Sequence, residues 1–223
     1  MRKPKRILVV DVGGTNVKLR VTGHRAMRKF SSGPRLTPKR MVSETRALAA
    51  DWRYDAIAIG YPGVVRHGKI TVEPRNLGRG WVGFAFAKAF GKPVRVINDA
   101  ALQAIGCYRK GRMLFLGLGT GLGSALVTDG VVEPTELAHL PYKRGRSFEE
   151  YVGEHGRERL GAKKWRRAVA DVVARLSTAL QVDEIVIGGG NARRLTHLPD
   201  KARRVTNSNA YSGGVRLWRA RGR

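Results

Sequence analysis

Three glycine-rich turns carry the residues with the clearest chemical potential. They are Gly13-Gly14-Thr15-Asn16, Gly117-Leu118-Gly119-Thr120-Gly121-Leu122-Gly123 and Gly188-Gly189-Gly190, and each follows an apolar run that reads as a buried strand. Bare backbone N–H groups at such turns can approach an anion, and a threonine hydroxyl adds a donor. One such turn alone favours a tight hairpin, where glycine supplies positive φ at no cost. Three of them, each at a strand end where ligands gather in α/β folds, point to phosphate. The two common phosphate fingerprints do not fit. A P-loop needs G-x-x-x-x-G-K-[ST] before a helix, and no turn has that lysine. The dinucleotide fingerprint also needs a following helix, whereas Ser124 to Thr128 reads as a strand.

Carboxylates lie beside these turns. Asp11 stands at the tip of the first strand, where bound phosphate would repel it unless a cation lay between them; Mg²⁺ is the ordinary answer, and an Asp turn residue is the alternative. Asp99, in Asn98-Asp99, sits between a strand and a helix. It reads equally as a helix N-cap and as a general base taking a proton from a hydroxyl that attacks phosphorus. Glu136-x-x-His139 lies in a loop bounded by Pro134 and Pro141 and offers an acceptor and an imidazole to hydroxyl groups. Glu149 and Glu150 follow about ten residues on. The Glu136–His139 spacing also suits metal ligation, but the sequence supplies no third or fourth ligand nearby.

The elements that must hold these residues read as an α/β alternation. Ile7 to Val10 and Val17 to Thr22 are strands, and Thr37-Pro38 starts a helix running to about Trp52. Asp55 to Gly60 is a strand, Val64 to Val72 a hairpin around His67-Gly68, and Trp81 to Phe90 a helix. Val94 to Ile97 is a strand followed by a helix to about Arg109. The opening pattern then repeats, with Met113 to Leu118, a glycine turn, and Ser124 to Thr128. Helices are expected over Ser147–Leu160 and Lys163–Leu180, then a strand over Glu184–Ile187; the last 30 residues pattern weakly. The repeat at half-length predicts two related lobes, 1–110 and 111–223.

Composition bounds the class. The 223 residues, 42% of them hydrophobic, suffice for a core and exclude a disordered tail. Cys107 is the single cysteine, which excludes a disulfide framework and a cysteine-based zinc site. The apolar run Ile7–Val10 is too short for a signal core or a membrane span, so no membrane contact and a cytoplasmic location are expected. Against 43 Lys plus Arg stand 17 Asp plus Glu, a formal net charge of +26. That field attracts polyanions, or else reflects an arginine-rich proteome. Charge alone supports only non-specific, salt-sensitive nucleic-acid binding.

The segments DVGGTNVKL (11–19), GYPGVV (60–65), NDAA (98–101), GLGTGLGSALV (117–127), ELAHL (136–140) and GGGNA (188–192) occur in order. Together they resemble the ROK family of sugar kinases, within the actin-like ATPase/sugar kinase superfamily, and most of all its polyphosphate/ATP glucokinase branch. The resemblance implies a two-lobed actin-like ATPase/ribonuclease H-like α/β fold with a central cleft. It implies transfer of a terminal phosphoryl group from ATP or polyphosphate to a hexose, foremost glucose at O6. It implies Asp99 as the base; Asn76, Asn98, Glu136, His139 and Glu149 on the sugar; and Asp11 on Mg²⁺. Phosphate binding would fall to Gly13, Gly14, Thr15, Asn16 and Lys18, to Gly119, Thr120 and Gly121, and to Gly189, Gly190 and Asn191. A homodimer is implied as well. Two departures stand out. The cysteine-rich zinc loop of many members is missing, so no zinc is expected. The usual Glu-x-Gly-His reads Glu136-Leu137-Ala138-His139, where Ala is expected to cost roughly 1 kcal/mol or to shift His139. For a polyphosphate track, Lys18, Arg20, Arg79, Lys143, Arg144 and Arg146 are the candidate cations.

Overall fold

The computed structural model describes residues 6–206 and 208–219. Its elements run β1 (Ile7–Val12), β2 (Asn16–Val21), β3 (Arg28–Ser31), α1 (Pro38–Leu48), β4 (Ala56–Tyr61), the small hairpin β5 (Val65–Arg66) and β6 (Lys69–Ile70), α2 (Phe86–Phe90), β7 (Val94–Asn98) and α3 (Asp99–Cys107). There follow β8 (Arg112–Leu118), β9 (Leu122–Thr128), β10 (Val131–Thr135), a 3-10 turn (Leu137–His139), α4 (Phe148–Val152), α5 (Glu154–Leu180), β11 (Glu184–Gly188), a 3-10 turn (Ala192–Arg194), β12 (Ala202–Arg204) and α6 (Asn209–Arg219).

The strands form two five-stranded sheets on one plan, β3-β2-β1-β4-β7 and β10-β9-β8-β11-β12. In each, three strands meander antiparallel and two more add in parallel. The half-length repeat in the sequence is this repeated topology. β1 and β4 are buried along their whole length, as central parallel strands covered on both faces must be. β2 alternates half-buried and buried residues, as a strand with one solvated face does. Thr37 caps α1 by accepting the Arg40 N–H, with Pro38 in the first turn. His67 and Gly68 both take positive φ, the turn a two-residue hairpin requires.

Two compact units result: residues up to Leu102 joined by those from Ala210 onward, and Gln103–Asn209. The chain thus returns to the first unit for α6, where the sequence suggested a single division after residue 110. Ala210 packs with Ile7, Val9, Ala58 and Leu102. A methyl at Gly214 would lie 2.4 Å from Val9, so the helix can rest this close to β1 only because a glycine is there.

Two helices differ from expectation. The segment 81–90 is helical only over Phe86–Phe90, because Glu73 accepts the N–H groups of Gly80, Trp81 and Val82 and Gly83 takes positive φ. The helix expected over 147–160 breaks at Gly153, where a methyl would meet the Thr120 oxygen at 2.8 Å. The chain opens there to pass over the second glycine turn, and bends again at Gly161.

Candidate active site

In the first unit the candidate residues collect at the carboxyl end of the parallel strands. Register aligns Lys18, Asp11, Gly60 and Ile97 in one row across β2, β1, β4 and β7. Asn98 and Asp99 come next in the chain. Gly60 has a steric reason to be glycine: a methyl there would lie 2.8 Å from the Leu102 side chain and 3.4 Å from the Asp99 Cα. It seats the start of α3 on the sheet and so fixes the height of Asp99. The choice between cap and base is also sharpened. The Asn98 Oδ1 accepts the Ala101 N–H at 3.0 Å, which is the capping bond, while its Nδ2 donates to the Gly63 carbonyl at 3.1 Å. Asn98 therefore caps α3. Asp99 occupies the first helical position, its Oδ1 accepting the Ala100 N–H at 2.8 Å.

Asp11 is buried, and burial raises its carboxyl above the usual range, with Lys18 opposing from 3.9 Å. The first glycine turn closes with a Gly13 N–H to Asn16 carbonyl bond of 3.0 Å and is braced by β3: the Ser32 hydroxyl donates to the Gly13 carbonyl at 2.6 Å and the Ser32 N–H to Thr15 at 3.0 Å. Asn76 is exposed on the segment between β6 and α2, which Leu77 and the fully buried Trp81 anchor in the core.

In the second unit, the second and third glycine turns meet. The Asn191 N–H donates to the Leu118 carbonyl at 2.9 Å, and its Nδ2 to the Gly119 carbonyl at 3.2 Å and to Glu154 Oε2 at 2.6 Å. Arg194 donates to the Asn191 Oδ1 at 3.1 Å, and Arg157 pairs with Glu154. Those bonds hold the Glu154 carboxyl down at about 2, the Arg157 contact contributing most and Asn191 next. The Asn191 side chain is thus occupied in fixing the turn at Gly119. Above Thr120, the Glu154 N–H donates to the Thr120 carbonyl at 3.1 Å.

Glu149 lies directly against this turn. Its Oε2 accepts the Leu122 N–H at 3.2 Å, and a methyl on Gly121 would sit 2.1 Å from that oxygen. Glu150, its neighbour, closes a capping box with Ser147. The two adjacent glutamates therefore have different roles. Glu136 and His139 flank the first 3-10 turn, 3.7 Å apart and 51% and 48% exposed, open to a ligand. The buried Ser124 fixes this segment, donating to the Thr135 carbonyl and accepting the Leu137 N–H. Ala138 lies between them with its methyl buried in the apolar core and its φ outside the left-handed region. The expected cost of Ala in place of Gly is absent, because this backbone does not ask for a glycine.

Each turn pairs a glycine that the fold crowds with one that it leaves in open space. Gly189 is required by the backbone, with φ of +85° and the Leu118 carbonyl against an added methyl; at Gly13 the methyl would press on the Asn16 carbonyl at 3.1 Å, and at Gly121 it would displace the movable end of the Glu149 side chain. Gly14, Gly119 and Gly190 have no protein atom within 4 Å of a would-be methyl and lie outside the left-handed region. Neither packing nor backbone torsion accounts for these three. Each leaves its backbone open to the close approach of another group. The sequence did not single out Glu73, Ser124 or Glu154, whose partners lie up to 37 residues away.

No family model matches the chain. Over 158 residues it is 30% identical to the polyphosphate glucokinase of Mycobacterium tuberculosis, covering 64% of this chain and 58% of that protein. The chain thus spans little more than half the length of that relative. A 139-residue stretch is 32% identical to the bifunctional enzyme NanE/NanK of Brucella melitensis, covering 56% of this chain and 27% of that one. Among solved structures, the inorganic polyphosphate/ATP-glucomannokinase of Arthrobacter sp. strain KM superposes with a TM-score of 0.81 at 22% identity, covering 98% of this chain and 99% of that one. A ROK family glucokinase of Streptomyces griseus, in complex with glucose and AMPPNP, does so with 0.76 at 18% identity, covering 96% and 99%. The fold is the actin-like ATPase fold of the ROK sugar kinases.

Proposed function

We propose that this homologue of the polyphosphate glucokinases, built on the ROK sugar kinase fold, transfers a terminal phosphoryl group from polyphosphate or ATP to a hexose, foremost to O6 of glucose. The observation that carries the reading is the triplet Gly14, Gly119 and Gly190, one per turn, with open space where a side chain would be. Phosphoryl transfer asks a protein mainly for positioning and charge stabilisation, which backbone N–H groups supply, and for one group to take the hydroxyl proton.

Asp99 is that base in this reading. The capping bond of α3 is made by Asn98, so the cap does not depend on Asp99, whose carboxylate in the first turn is assigned to the substrate hydroxyl. Asn76, Asn98, Glu136, His139 and Glu149 bind the sugar hydroxyls. Thr15, Asn16, Lys18 and Thr120 join the glycines on the donor, and Asn191 acts by fixing the Gly119 turn. A divalent cation fits the buried Asp11, whose carboxylate is costly there without a second positive charge. Bound through water, Mg²⁺ would neutralise the donor's phosphate oxygens. No described helix is long and apolar enough to cross a membrane; a cytoplasmic homodimer belongs to the same proposal.

The test is to incubate the protein with Mg²⁺, a panel of hexoses and either ATP or polyphosphate, and to measure sugar phosphate, with Asp99→Asn alongside. Formation of hexose 6-phosphate that Asp99→Asn abolishes supports the reading. Absence of product with every hexose and both donors refutes it.

A further inference from the structure

The proposed sugar residues His139 and Glu149 stand at the two ends of one closed hairpin. The Phe148 N–H donates to the Leu140 carbonyl at 3.0 Å, Pro141 bridges Ser147, and the Tyr142 N–H donates to the Arg146 carbonyl at 2.7 Å. Arg144 and Gly145 take positive φ at the tip. A two-stranded hairpin is marginal in isolation. This one also carries Lys143, Arg144 and Arg146, like charges that favour opening. Something outside it must hold it.

Asp171 on α5 does so. Its Oδ2 accepts the Tyr142 hydroxyl and the Lys143 ammonium, the latter at 3.0 Å, and its Oδ1 accepts Arg175 Nε at 3.3 Å. The Tyr142 ring meets Phe148 and Tyr151 edge-on, at 5.4 and 4.8 Å between centroids, which ties the hairpin to α4. Lys143 and Arg175 lie over the same ring at 4.6 and 5.6 Å. One carboxylate thus gathers two cations and a phenol around the only aromatic ring of the hairpin tip. The same contacts hold the Asp171 carboxyl at about 2, the Tyr142 bond foremost, so it stays charged throughout the ordinary pH range.

We propose that Asp171, through Tyr142, is the positioning residue of the sugar-binding segment: it clamps the 140–148 hairpin to α5 and thereby sets His139 and Glu149. This rests on the sugar kinase reading and adds a residue to it that touches no substrate. In Asp171→Asn, the hairpin loosens while the glycine turns, held by Asn191 and Glu154, keep their geometry.

The expected result is a hexose KM raised about tenfold, the scale of one lost charge-assisted bond, with donor KM and kcat within about twofold. Tyr142→Phe keeps the ring packing and loses one bond, so its increase is smaller; Asp171→Glu restores part of the loss. Glu158→Gln, which removes an exposed partner of His155 on the same helix, is the control. Hydrogen exchange at the Tyr142, Arg146 and Phe148 amides should quicken in Asp171→Asn but not in the control. A hexose KM unchanged in Asp171→Asn, or a kcat and donor KM that move with it, overturns the inference while the unaltered protein remains active. Failure of the unaltered protein to phosphorylate any hexose overturns the parent reading instead.

Discussion

Replacing Gly14, Gly119 or Gly190 by Ala separates ligand space from folding space. Each added methyl meets no protein atom within 4 Å and asks for no left-handed backbone. The folded state should accept it, and the unfolded chain loses entropy, a gain of about 0.4–1 kcal/mol. For a chain of this size that raises Tm by about 1–4 °C. In the donor complex the same methyl occupies the space through which a phosphate oxygen reaches the turn's open N–H groups, the Gly119 N–H itself being held by the Gly121 carbonyl at 3.1 Å. Loss of one charge-assisted bond, about 1.5–3 kcal/mol, lowers donor kcat/KM by about 10- to 150-fold. The partner glycines behave in the opposite way. Gly189→Ala adds a positive φ to a contact with the Leu118 backbone carbonyl and should lower Tm by several degrees, while Gly121→Ala should lower it less, because the Glu149 carboxylate it meets is the end of a movable side chain. The assays are thermal unfolding of the ligand-free protein, and initial rates with ATP or polyphosphate varied at saturating hexose. Donor kcat/KM within twofold of the unaltered protein in all three stable variants would refute the assignment of these turns to phosphate.

Other outcomes follow from the same geometry. Asp99→Asn should lower kcat by about 10²–10⁴, and Asn98→Ala should cost about 1 kcal/mol of stability through the lost cap; a kcat for Asp99→Asn within about tenfold of the unaltered protein would remove the base assignment. Burial raises the Asp11 carboxyl, so its charged form opposes folding above the ordinary carboxylate range. Asp11→Asn should therefore raise the Tm of the ligand-free protein at neutral pH while removing the Mg²⁺ dependence of the rate along with most of the rate itself. Glu154 is held at about 2 against an ordinary value of 4.5, so its contribution is full above pH 4.5 and fades as pH falls towards 2. Denaturant titrations of Glu154→Gln should show a deficit above pH 4.5 that shrinks on acidification.

What could be read from the chain was what is local. A buried strand, a glycine turn and a returning strand lie within about fifteen residues, so the turns, Asp11 and the Asn98-Asp99 step were visible as motifs. Choices between neighbours were not. Asn98 caps α3 because its amide can also reach the Gly63 carbonyl, 35 residues away; Glu149 rather than Glu150 reaches the glycine turn because Ser147 claims Glu150. The segment from Trp81 has helical composition, yet three of its N–H groups are drawn to Glu73. Ala138 looked like a defect because the motif was read without its backbone, which is a 3-10 turn over the core.

The net charge also takes on a structural meaning. With 17 acidic residues for 43 basic ones, carboxylates cannot pair with most of the cations. Several arginines donate to main-chain carbonyls, with or without a carboxylate as well, and they choose helix ends. Arg28, which also pairs with Asp51, donates to the carbonyl of Leu48, the last residue of α1; Arg203, which also pairs with Glu184, to that of Cys107, the last of α3; and Arg95 to that of Leu217 in the last turn of α6. Helix C-termini present unsatisfied carbonyls and partial negative charge, which a guanidinium satisfies without a counterion. Such bonds use the arginine but do not neutralise it, so the field reaching solvent stays strongly positive. Of the cations suggested for a polyphosphate track, Lys18 is paired with Asp11, Lys143 with Asp171, and Arg20 donates to the His24 carbonyl over the Tyr211 ring. Attraction of a polyanionic donor can therefore come from the summed charge of residues already employed in the fold, and the basic surface needs no dedicated track to be useful.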